Sequence, residues 1–197
     1  KGYYVRGMLR NKKNFLLPLN KYIELSEADL LNAGAVEEAV HGCDYIIHCA
    51  AVTAPGLLHY SDYKCNIAGT QNIINAALKH NVKKMVYVST VNTLKFGTKA
   101  MPGNETATAT KPFTNSLYAK SKIEAERYVR AATGKIDITI VNPSFMLGAY
   151  VSGNGSGKII RMGYGRKWLF YPPGGKNFVN ATDAAAATVA AMEKGKC

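Results

Sequence analysis

The sequence predicts an α/β fold in which helices cover both faces of a doubly wound parallel sheet. Strand-like and helix-like runs alternate along the whole chain, which is typical of strands joined by crossover helices. The candidate strands are also short and rich in β-branched and aromatic residues, and the run 136–141 is almost continuously apolar. A strand that is apolar on both sides fits a sheet that is buried on both faces, so a sandwich of antiparallel strands is not expected.

The predicted strands, in chain order, are residues 3–9, 45–49, 85–89 and 136–141, with a later extended piece at 168–171. The predicted helices alternate with them at residues 35–41, 66–80, 116–132 and 183–194. In the second helix, apolar side chains recur at the spacing of one helical face, which predicts a buried stripe.

The segments between these elements are predicted to be loops. Gly, Pro, Thr and Asn are frequent at residues 97–114 and 148–157, and a sharp turn is expected at 172–175. Ligands of open α/β sheets bind beyond the carboxyl ends of the strands. The segments that follow the strands are therefore the places where functional residues are expected.

The composition fits one domain with one core. The chain has 197 residues, of which 47% are hydrophobic, so it is long enough to bury most of its apolar surface. Its longest apolar runs fall well short of the roughly 18 residues that a membrane span requires, so no membrane association is expected. The residues given contain no secretory signal, and we expect a cytoplasmic protein.

Charge and cysteine content exclude further classes of function. The net charge is +12, but the Lys and Arg residues are scattered instead of forming one stripe with interleaved aromatic residues. Nucleic acid is therefore not the expected partner, and part of the charge is expected to serve a phosphorylated small molecule. The four cysteines are irregularly spaced without a zinc-binding pattern, so reduced thiols and no metal site are expected.

A glycine-rich dinucleotide loop is absent from the first half of the sequence. Such a site opens with a strand, a G-x-G-x-x-G turn and a helix, whereas the first predicted strand here ends in Leu9-Arg10-Asn11. That strand resembles the second strand of a dinucleotide-binding fold, so we expect that an N-terminal strand and its glycine loop are missing from this sequence. The glycines at 153–157 do not have the spacing of a phosphate-binding loop.

The pair Tyr118 and Lys122 is the main candidate for proton chemistry. The two residues are one helical turn apart and share a face, and an ammonium beside a phenol lowers the pKa of the phenol. Tyr60 and Lys64 have the same spacing, so spacing alone does not decide. Only Tyr118 follows a strand that ends in two hydroxyl residues, Ser89 and Thr90, which favours Tyr118.

The order of these segments resembles the extended short-chain dehydrogenase/reductase family, within it the dihydroflavonol 4-reductase-like and 3β-hydroxysteroid dehydrogenase-like group. The resemblance covers nearly all of the sequence. It rests on the second-strand segment 5–10 and on Ala28-Asp29-Leu30, His48-Cys49-Ala50-Ala51, Asn66-Ile67-Ala68-Gly69-Thr70, Ser89-Thr90, Tyr118 with Lys122, Asn142-Pro143-Ser144, and Phe178-Val179-Asn180 with Asp183.

The resemblance implies a fold and a set of site residues. Residues 1–147 are expected to form a Rossmann-type NAD(P)-binding domain that is incomplete at its N-terminus, and residues 148–197 to begin a small substrate-binding lobe and add a helix that returns to the first domain. The catalytic residues implied are Thr90, Tyr118 and Lys122. The cofactor-binding residues implied are Arg10, Asp29, Leu30, Ala50, Ala51, Tyr118, Lys122, Pro143 and Ser144.

Several of these assignments have alternatives. Ser89 takes the catalytic role of Thr90 if the alignment of this strand with the family is shifted by one residue. Thr90 would otherwise be a residue that caps the loop after its strand. Arg10 follows the segment that resembles the second strand of the family. An arginine at that point binds the 2′-phosphate of NADP, so NADP is favoured over NAD. Asp29 either accepts from the adenine or caps the next turn. His48 is interpreted as a satisfied core histidine.

The substrate side is less defined. By resemblance, Tyr63 with the loop 53–63 and the stretch 150–171 line the substrate pocket. The aromatic residues Trp168, Phe170 and Tyr171 either face an apolar substrate or pack the small lobe.

The sequence thus predicts an enzyme that exchanges a hydride between NADP(H) and a carbonyl or secondary alcohol of a small apolar molecule. The alternatives are an NAD-dependent nucleotide-sugar epimerase or dehydratase of the same fold and a non-catalytic module that senses NAD(P). A homodimer is kept open as an assembly.

Overall fold

The computed structural model describes residues 2–54, 59–149, 158–168, 170 and 175–196. Its strands are β1 (Val5–Leu9), β2 (Ile23–Glu27), β3 (Tyr45–His48), β4 (Lys84–Val88), β5 (Asp137–Val141), β6 (Phe145–Leu147) and β7 (Phe178–Asn180). Its α-helices are α1 (Ala33–Val40), α2 (Thr70–Lys79), α3 (Leu117–Ala132), α4 (Lys158–Gly163) and α5 (Ala181–Lys194).

All strand pairs among these elements are parallel. β1 pairs with β2, β3 and β5 flank β4, and β6 pairs with β7. α2 connects β3 to β4 and α3 connects β4 to β5, as crossover helices must in a parallel sheet. The predicted α/β fold is confirmed, and the carboxyl ends of β3, β4 and β5 lie at one edge of their sheet.

The core lies between this sheet and the helices that cover it. Met85 and Tyr87 of β4 are fully buried and pack with apolar residues of α1, α2 and α3, among them Val36, Ala77 and Val129. The apolar stripe that the sequence predicted on α2 is buried at Ile74 and Ala77. Burial of this kind contributes roughly 2 kcal/mol for each large apolar side chain and fixes the helices against the strands.

Local capping sets where the helices begin. Ser116 is the N-cap of α3 and accepts from the Ala119 backbone N–H, which places the start of the helix just before Tyr118. The predicted helix 66–80 begins later, at Thr70, because a π-helical turn at Cys65–Gly69 precedes it. A Cβ on Gly69 would lie 2.8 Å from the Leu30 side chain, so this turn requires a glycine for its close packing.

Other differences concern short elements. β2, β6 and β7 were not predicted as strands, because β6 and β7 have only three residues each and β2 mixes polar with apolar side chains. The predicted piece 168–171 is wrong at Trp168 and Phe170, which lie outside strands and are strongly exposed; Leu169 and Tyr171 lie outside the described residues. In the predicted loop 148–157 and turn 172–175 only Gly148, Ala149 and Gly175 are described.

Among the described helices, none combines the length and the apolar character that a transmembrane span requires.

Candidate active site

The predicted pair on α3 lies at the carboxyl end of β4. Lys122 is 2% exposed, and its Nζ donates to the Val88 backbone carbonyl at 2.9 Å. The same Nζ lies 4.2 Å from the centroid of the Tyr87 ring, a cation–π contact. Helix α3 thus inserts its lysine over the last residues of the central strand.

Tyr118 lies one turn before Lys122 and next to the end of β4. The Thr90 hydroxyl is within hydrogen-bonding reach of the Tyr118 phenol, and the ring of Tyr63 packs at a centroid distance of 6.3 Å. The structure therefore brings Thr90, and not Ser89, against the tyrosine. Ser89 is buried next to it, and its Oγ has no hydrogen-bond partner among the described residues.

The electrostatics of Tyr118 differ from the prediction. Burial raises the pKa of Tyr118, the hydrogen bond from Thr90 opposes this, and the neighbouring Tyr63 adds to it. The sequence predicted a pKa lowered by Lys122, but the ammonium of Lys122 is directed to the Val88 carbonyl and the Tyr87 ring instead. The phenol of Tyr118 is consequently protonated at neutral pH.

Burial has the opposite effect on Lys122, because the charged form of a lysine is the protonated one. It lowers the pKa of Lys122 to about 8, while the carboxylate of Glu126 and the thiol of Cys49 favour the charged ammonium. Lys122 is therefore mostly charged at pH 7 and titrates just above it.

Asn66 connects three segments around the pair, and sequence reasoning gave it no role of its own. It is 2% exposed, its Oδ1 accepts from the Val52 N–H at 2.6 Å, and its Nδ2 donates to the Val52 carbonyl and to Ser121 Oγ. The π-helical turn presents this side chain between the segment after β3 and helix α3. Asn66 thereby fixes the helix face that carries Tyr118 and Lys122.

Glu126 is a second residue that sequence reasoning missed. It is 5% exposed, and its Oε1 accepts from Thr93 Oγ1 at 2.8 Å and from Asn142 Nδ2 at 3.0 Å. Both donors also approach the Thr90 backbone carbonyl, Thr93 at 2.9 Å and Asn142 at 3.2 Å. Glu126 follows Lys122 by four residues. The helical spacing that places Tyr118 and Lys122 on one face therefore also places Glu126 there, and it could have been predicted in the same way.

The rival pair Tyr60 and Lys64 occupies a different environment. The Tyr60 hydroxyl donates to Glu124 Oε2 at 2.5 Å, and burial together with this carboxylate raises the pKa of Tyr60. Its phenol is therefore engaged in a contact between a short 3-10 turn and α3.

Four of the expected cofactor residues, which follow β1, β2 and β3, come together in one cleft. It has a volume of about 230 Å³ and is lined by Met8, Leu9, Arg10, Ala28, Leu30, Ala50, Ala51, Val52 and Cys65. Apart from Arg10 and Cys65, the lining residues are apolar. Asp29 is adjacent, and its Oδ1 accepts from the Leu31 N–H at 2.8 Å, which is the capping role considered for it.

Pro143 and Ser144 are half-buried beyond the carboxyl end of β5. The Pro143 carbonyl accepts from the Val91 N–H at 3.1 Å, which joins this loop to the segment that carries Thr90. These two residues therefore lie on the side of the catalytic pair and not in the cleft of Arg10.

One acidic residue near Arg10 was not foreseen. The pairing of β1 with β2 places Glu27 opposite Leu9, and the Glu27 carboxylate accepts from the Lys12 N–H at 3.0 Å. The sequence showed no acid after the first strand, but the neighbouring strand supplies one.

His48 is buried and satisfied, as predicted. Its Nε2 pairs with Thr70 Oγ1 at 3.0 Å, and burial together with Lys122 lowers the pKa of His48 to about 3. Its imidazole is neutral at physiological pH.

The model of the NAD dependent epimerase/dehydratase family matches residues 1–197, the whole chain. The chain belongs to the NAD dependent epimerase/dehydratase family. This confirms the resemblance on which the site residues were selected.

Several proteins of this family are similar to the chain. It is 30% identical over 141 residues to a 3 beta-hydroxysteroid dehydrogenase/Delta 5-->4-isomerase from Mycobacterium tuberculosis, covering 68% of the chain and 37% of that protein. It is 28% identical over 222 residues to tetraketide alpha-pyrone reductase 2 from Arabidopsis thaliana, covering 99% of the chain and 68% of that protein. The chain thus spans little more than a third of the mycobacterial relative.

The fold is also that of a solved epimerase of the family. The UDP-glucose 4-epimerase from Thermotoga maritima superposes with a TM-score of 0.77 at 20% identity, over 98% of the chain and 67% of that structure. At this identity the likeness concerns the fold alone.

Proposed function

We propose that the protein is an NADP-dependent reductase or dehydrogenase that exchanges a hydride with a carbonyl or secondary alcohol, with Tyr118 as proton donor and acceptor. The observation that carries the proposal is the convergence of Thr90, Tyr118 and Lys122 at the carboxyl end of β4. A phenol, a hydroxyl and an ammonium at one point are the groups that hold a carbonyl oxygen and give it a proton.

Each residue has a distinct role in this proposal. Thr90 donates to the substrate oxygen or to the Tyr118 phenol, which it already approaches. Tyr118 donates its proton to the oxygen as negative charge develops there, and its raised pKa keeps that proton available at neutral pH. Lys122 presents an ammonium next to this centre, and its remaining hydrogen-bond donors would bind ribose hydroxyls of the cofactor.

The cleft beside Arg10 fits the adenosine part of a dinucleotide. Most of its lining residues are apolar, as a flat aromatic base requires, and Arg10, the one charged lining residue, has a guanidinium that can bind a phosphate. Arg10, Leu30, Ala50 and Ala51 would hold this part, with Pro143 and Ser144 beside the nicotinamide. The bound nicotinamide dinucleotide supplies or accepts the hydride. NADP is proposed because of Arg10, and NAD is the alternative.

The proposed substrate is a small apolar molecule. The relatives named above are a hydroxysteroid dehydrogenase and a pyrone reductase, whose names describe apolar or ring substrates. Tyr63 is buried with its ring beside Tyr118, so it supports the tyrosine from within the protein. We further propose the division into residues 1–147 and a lobe from residue 148, and a homodimer as the assembly.

Two tyrosine variants test the proposal. Tyr118→Phe is expected to lower NADPH-dependent reduction of a panel of cyclic ketones and aromatic aldehydes by roughly a hundredfold, the usual scale for a lost general acid. Tyr60→Phe is the matched control, because Tyr60 has the same spacing to a lysine but bonds Glu124, and its turnover is expected within a few-fold of the unmodified protein. Equal losses in the two variants would refute the assignment of Tyr118.

A further inference from the structure

We propose that Glu126 is a positioning residue of the Tyr118 and Lys122 centre: its buried carboxylate anchors the main chain of Thr90 and places a negative charge one helical turn behind the Lys122 ammonium. The inference rests on the proposed function, because it assigns Glu126 to the service of the same residues. Glu126 itself is not expected to touch substrate or cofactor.

The anchoring follows from the hydrogen bonds. Glu126 Oε1 accepts from Thr93 Oγ1, in the turn after β4, and from Asn142 Nδ2, just after β5. The two N–H groups of Asn142 can bridge Glu126 and the Thr90 carbonyl at the same time, whereas the single proton of the Thr93 hydroxyl goes to one of these two acceptors. Hydrogen bonds to a buried carboxylate are stronger than those between neutral groups. Helix α3 therefore carries Tyr118 on one turn and, two turns later, the group that fixes the segment bearing Thr90.

The burial of Glu126 needs an explanation other than stability. Its side chain is 6% exposed, and its Oε2 lies 3.5 Å from Arg130 Nη2, whose own side chain is 56% exposed. Burying a carboxylate is costly, and a buried ion pair is weak grounds for added stability. A neutral amide could accept the same two hydrogen bonds without the cost of burying a charge, so the charge itself points to a role at the neighbouring lysine.

The charges that surround Lys122 show why one carboxylate matters. Lys122 interacts electrostatically with four neighbouring groups. These are Glu126 on its own helix, Cys49 and His48 at the end of β3, and the Tyr87 ring on β4. His48 is neutral and the Tyr87 hydroxyl is uncharged at neutral pH. Of these groups Glu126 is the one whose charge most favours the ammonium form of Lys122.

The experiment measures the titration of Lys122 in the protein without cofactor. Protein labelled with ¹³C-lysine is titrated by NMR, and the Lys122 signal is identified by its loss in Lys122→Met. Glu126→Gln keeps an acceptor oxygen for Thr93 and Asn142 but removes the charge, so the midpoint is expected to fall by about one pH unit. The control Glu124→Gln removes a carboxylate from the same helix that bonds Tyr60, and an unmoved midpoint is expected there.

A second pair of variants covers the other outcomes. Arg130→Gln, at an exposed position, removes a cation beside Glu126, so the Lys122 midpoint is expected to rise; this arm remains informative if Glu126→Gln does not fold. Thr93→Val keeps the charge of Glu126 but removes the hydroxyl that links Glu126 to the turn after β4. The Lys122 midpoint is therefore expected to stay unchanged, while turnover falls roughly tenfold or more.

The Lys122 titration needs no cofactor, so its failure and the failure of the proposed function can be told apart. A protein that titrates as expected but binds no NADPH would refute the proposed function and leave the role of Glu126 in place. The inference is overturned if Glu126→Gln leaves the Lys122 midpoint unchanged, if Arg130→Gln fails to raise it, or if Thr93→Val reduces ketones at the unmodified rate.

Discussion

The burial of Lys122 predicts an unusual dependence of stability on pH. A lysine whose pKa is lower in the folded protein than in the unfolded chain binds fewer protons when folded across the interval between the two values. The unfolded chain then binds the extra proton, so the free energy of unfolding must rise with pH over that interval. For Lys122 the interval runs from a pKa of about 8 in the folded protein to the ordinary lysine pKa of 10.5.

The magnitude follows from the same two values. Each pKa unit corresponds to about 1.4 kcal/mol, so the full interval amounts to about 3 kcal/mol. Between pH 7 and pH 10 most of this change occurs, about 2.5 kcal/mol. Below pH 8 the folded protein carries the full cost of burying the ammonium, and Lys122→Met removes that cost along with the pH dependence.

The assay is urea unfolding at a series of pH values. The quantity to follow is the difference in unfolding free energy between the protein and its Lys122→Met variant, because groups common to both cancel. A Cys49→Ser background removes the thiol that interacts with Lys122. Lys120→Met, at an exposed position of the same helix, is the control and should leave the pH dependence intact. If the difference stays constant from pH 7 to pH 10, Lys122 is not buried as described and the reasoning about its environment fails.

Three further predictions concern the cofactor cleft and the sheet. Arg10→Glu should abolish the preference for NADPH over NADH in fluorescence titrations, and equal affinities in the unmodified protein would refute NADP as the cofactor. Glu27→Gln should raise that preference roughly fivefold, since a charge beside the proposed phosphate site is removed, and an unchanged ratio would exclude Glu27 from the site. Lys84→Met should cost roughly 2 kcal/mol in urea unfolding, because the buried Nζ binds the Asp137 carboxylate at 3.0 Å and the Gly195 carbonyl; full stability would show that this contact contributes nothing.

Helical periodicity accounts for what could be predicted of the catalytic pair. Tyr118 and Lys122 lie on one face because their spacing is one turn, and the same rule applied once more leads to Glu126. The choice of Thr90 over Ser89 needed the structure, because a strand end is uncertain by a residue and a shift of one residue turns the side chain to the other face. The direction of the Tyr118 pKa also needed it, since the direction in which Lys122 points is a tertiary property.

Contacts between strands explain the residues that were missed. Glu27 lies in a strand whose polar and apolar residues gave no strong signal, and its proximity to Arg10 depends on which strand pairs with β1. Asn66 acquires its contacts from a π-helical turn, which the regular spacing of the following helix does not reveal. Both residues depend on non-local packing. The cleft residues Arg10, Leu30, Ala50 and Ala51, in contrast, were selected through the family resemblance, and the structure places them in one cleft after the ends of β1, β2 and β3.

The raised pKa of Tyr118 also bears on the direction of the proposed reaction. Reduction of a carbonyl needs a protonated phenol that gives its proton to the oxygen, and burial keeps Tyr118 in this form at neutral pH. Oxidation of an alcohol needs the phenolate. Burial disfavours the phenolate, and within the described site only the Thr90 hydroxyl stabilises it.

We therefore expect the rate of reduction to be flat from pH 6 to pH 8 and the rate of oxidation to keep rising above pH 9. Thr90→Val should shift the oxidation profile further to alkaline pH, because it removes the hydrogen bond that favours the phenolate. Rate measurements in both directions at saturating cofactor test this, and an oxidation rate that reaches its plateau below pH 8 would show that Tyr118 does not limit the proton transfer.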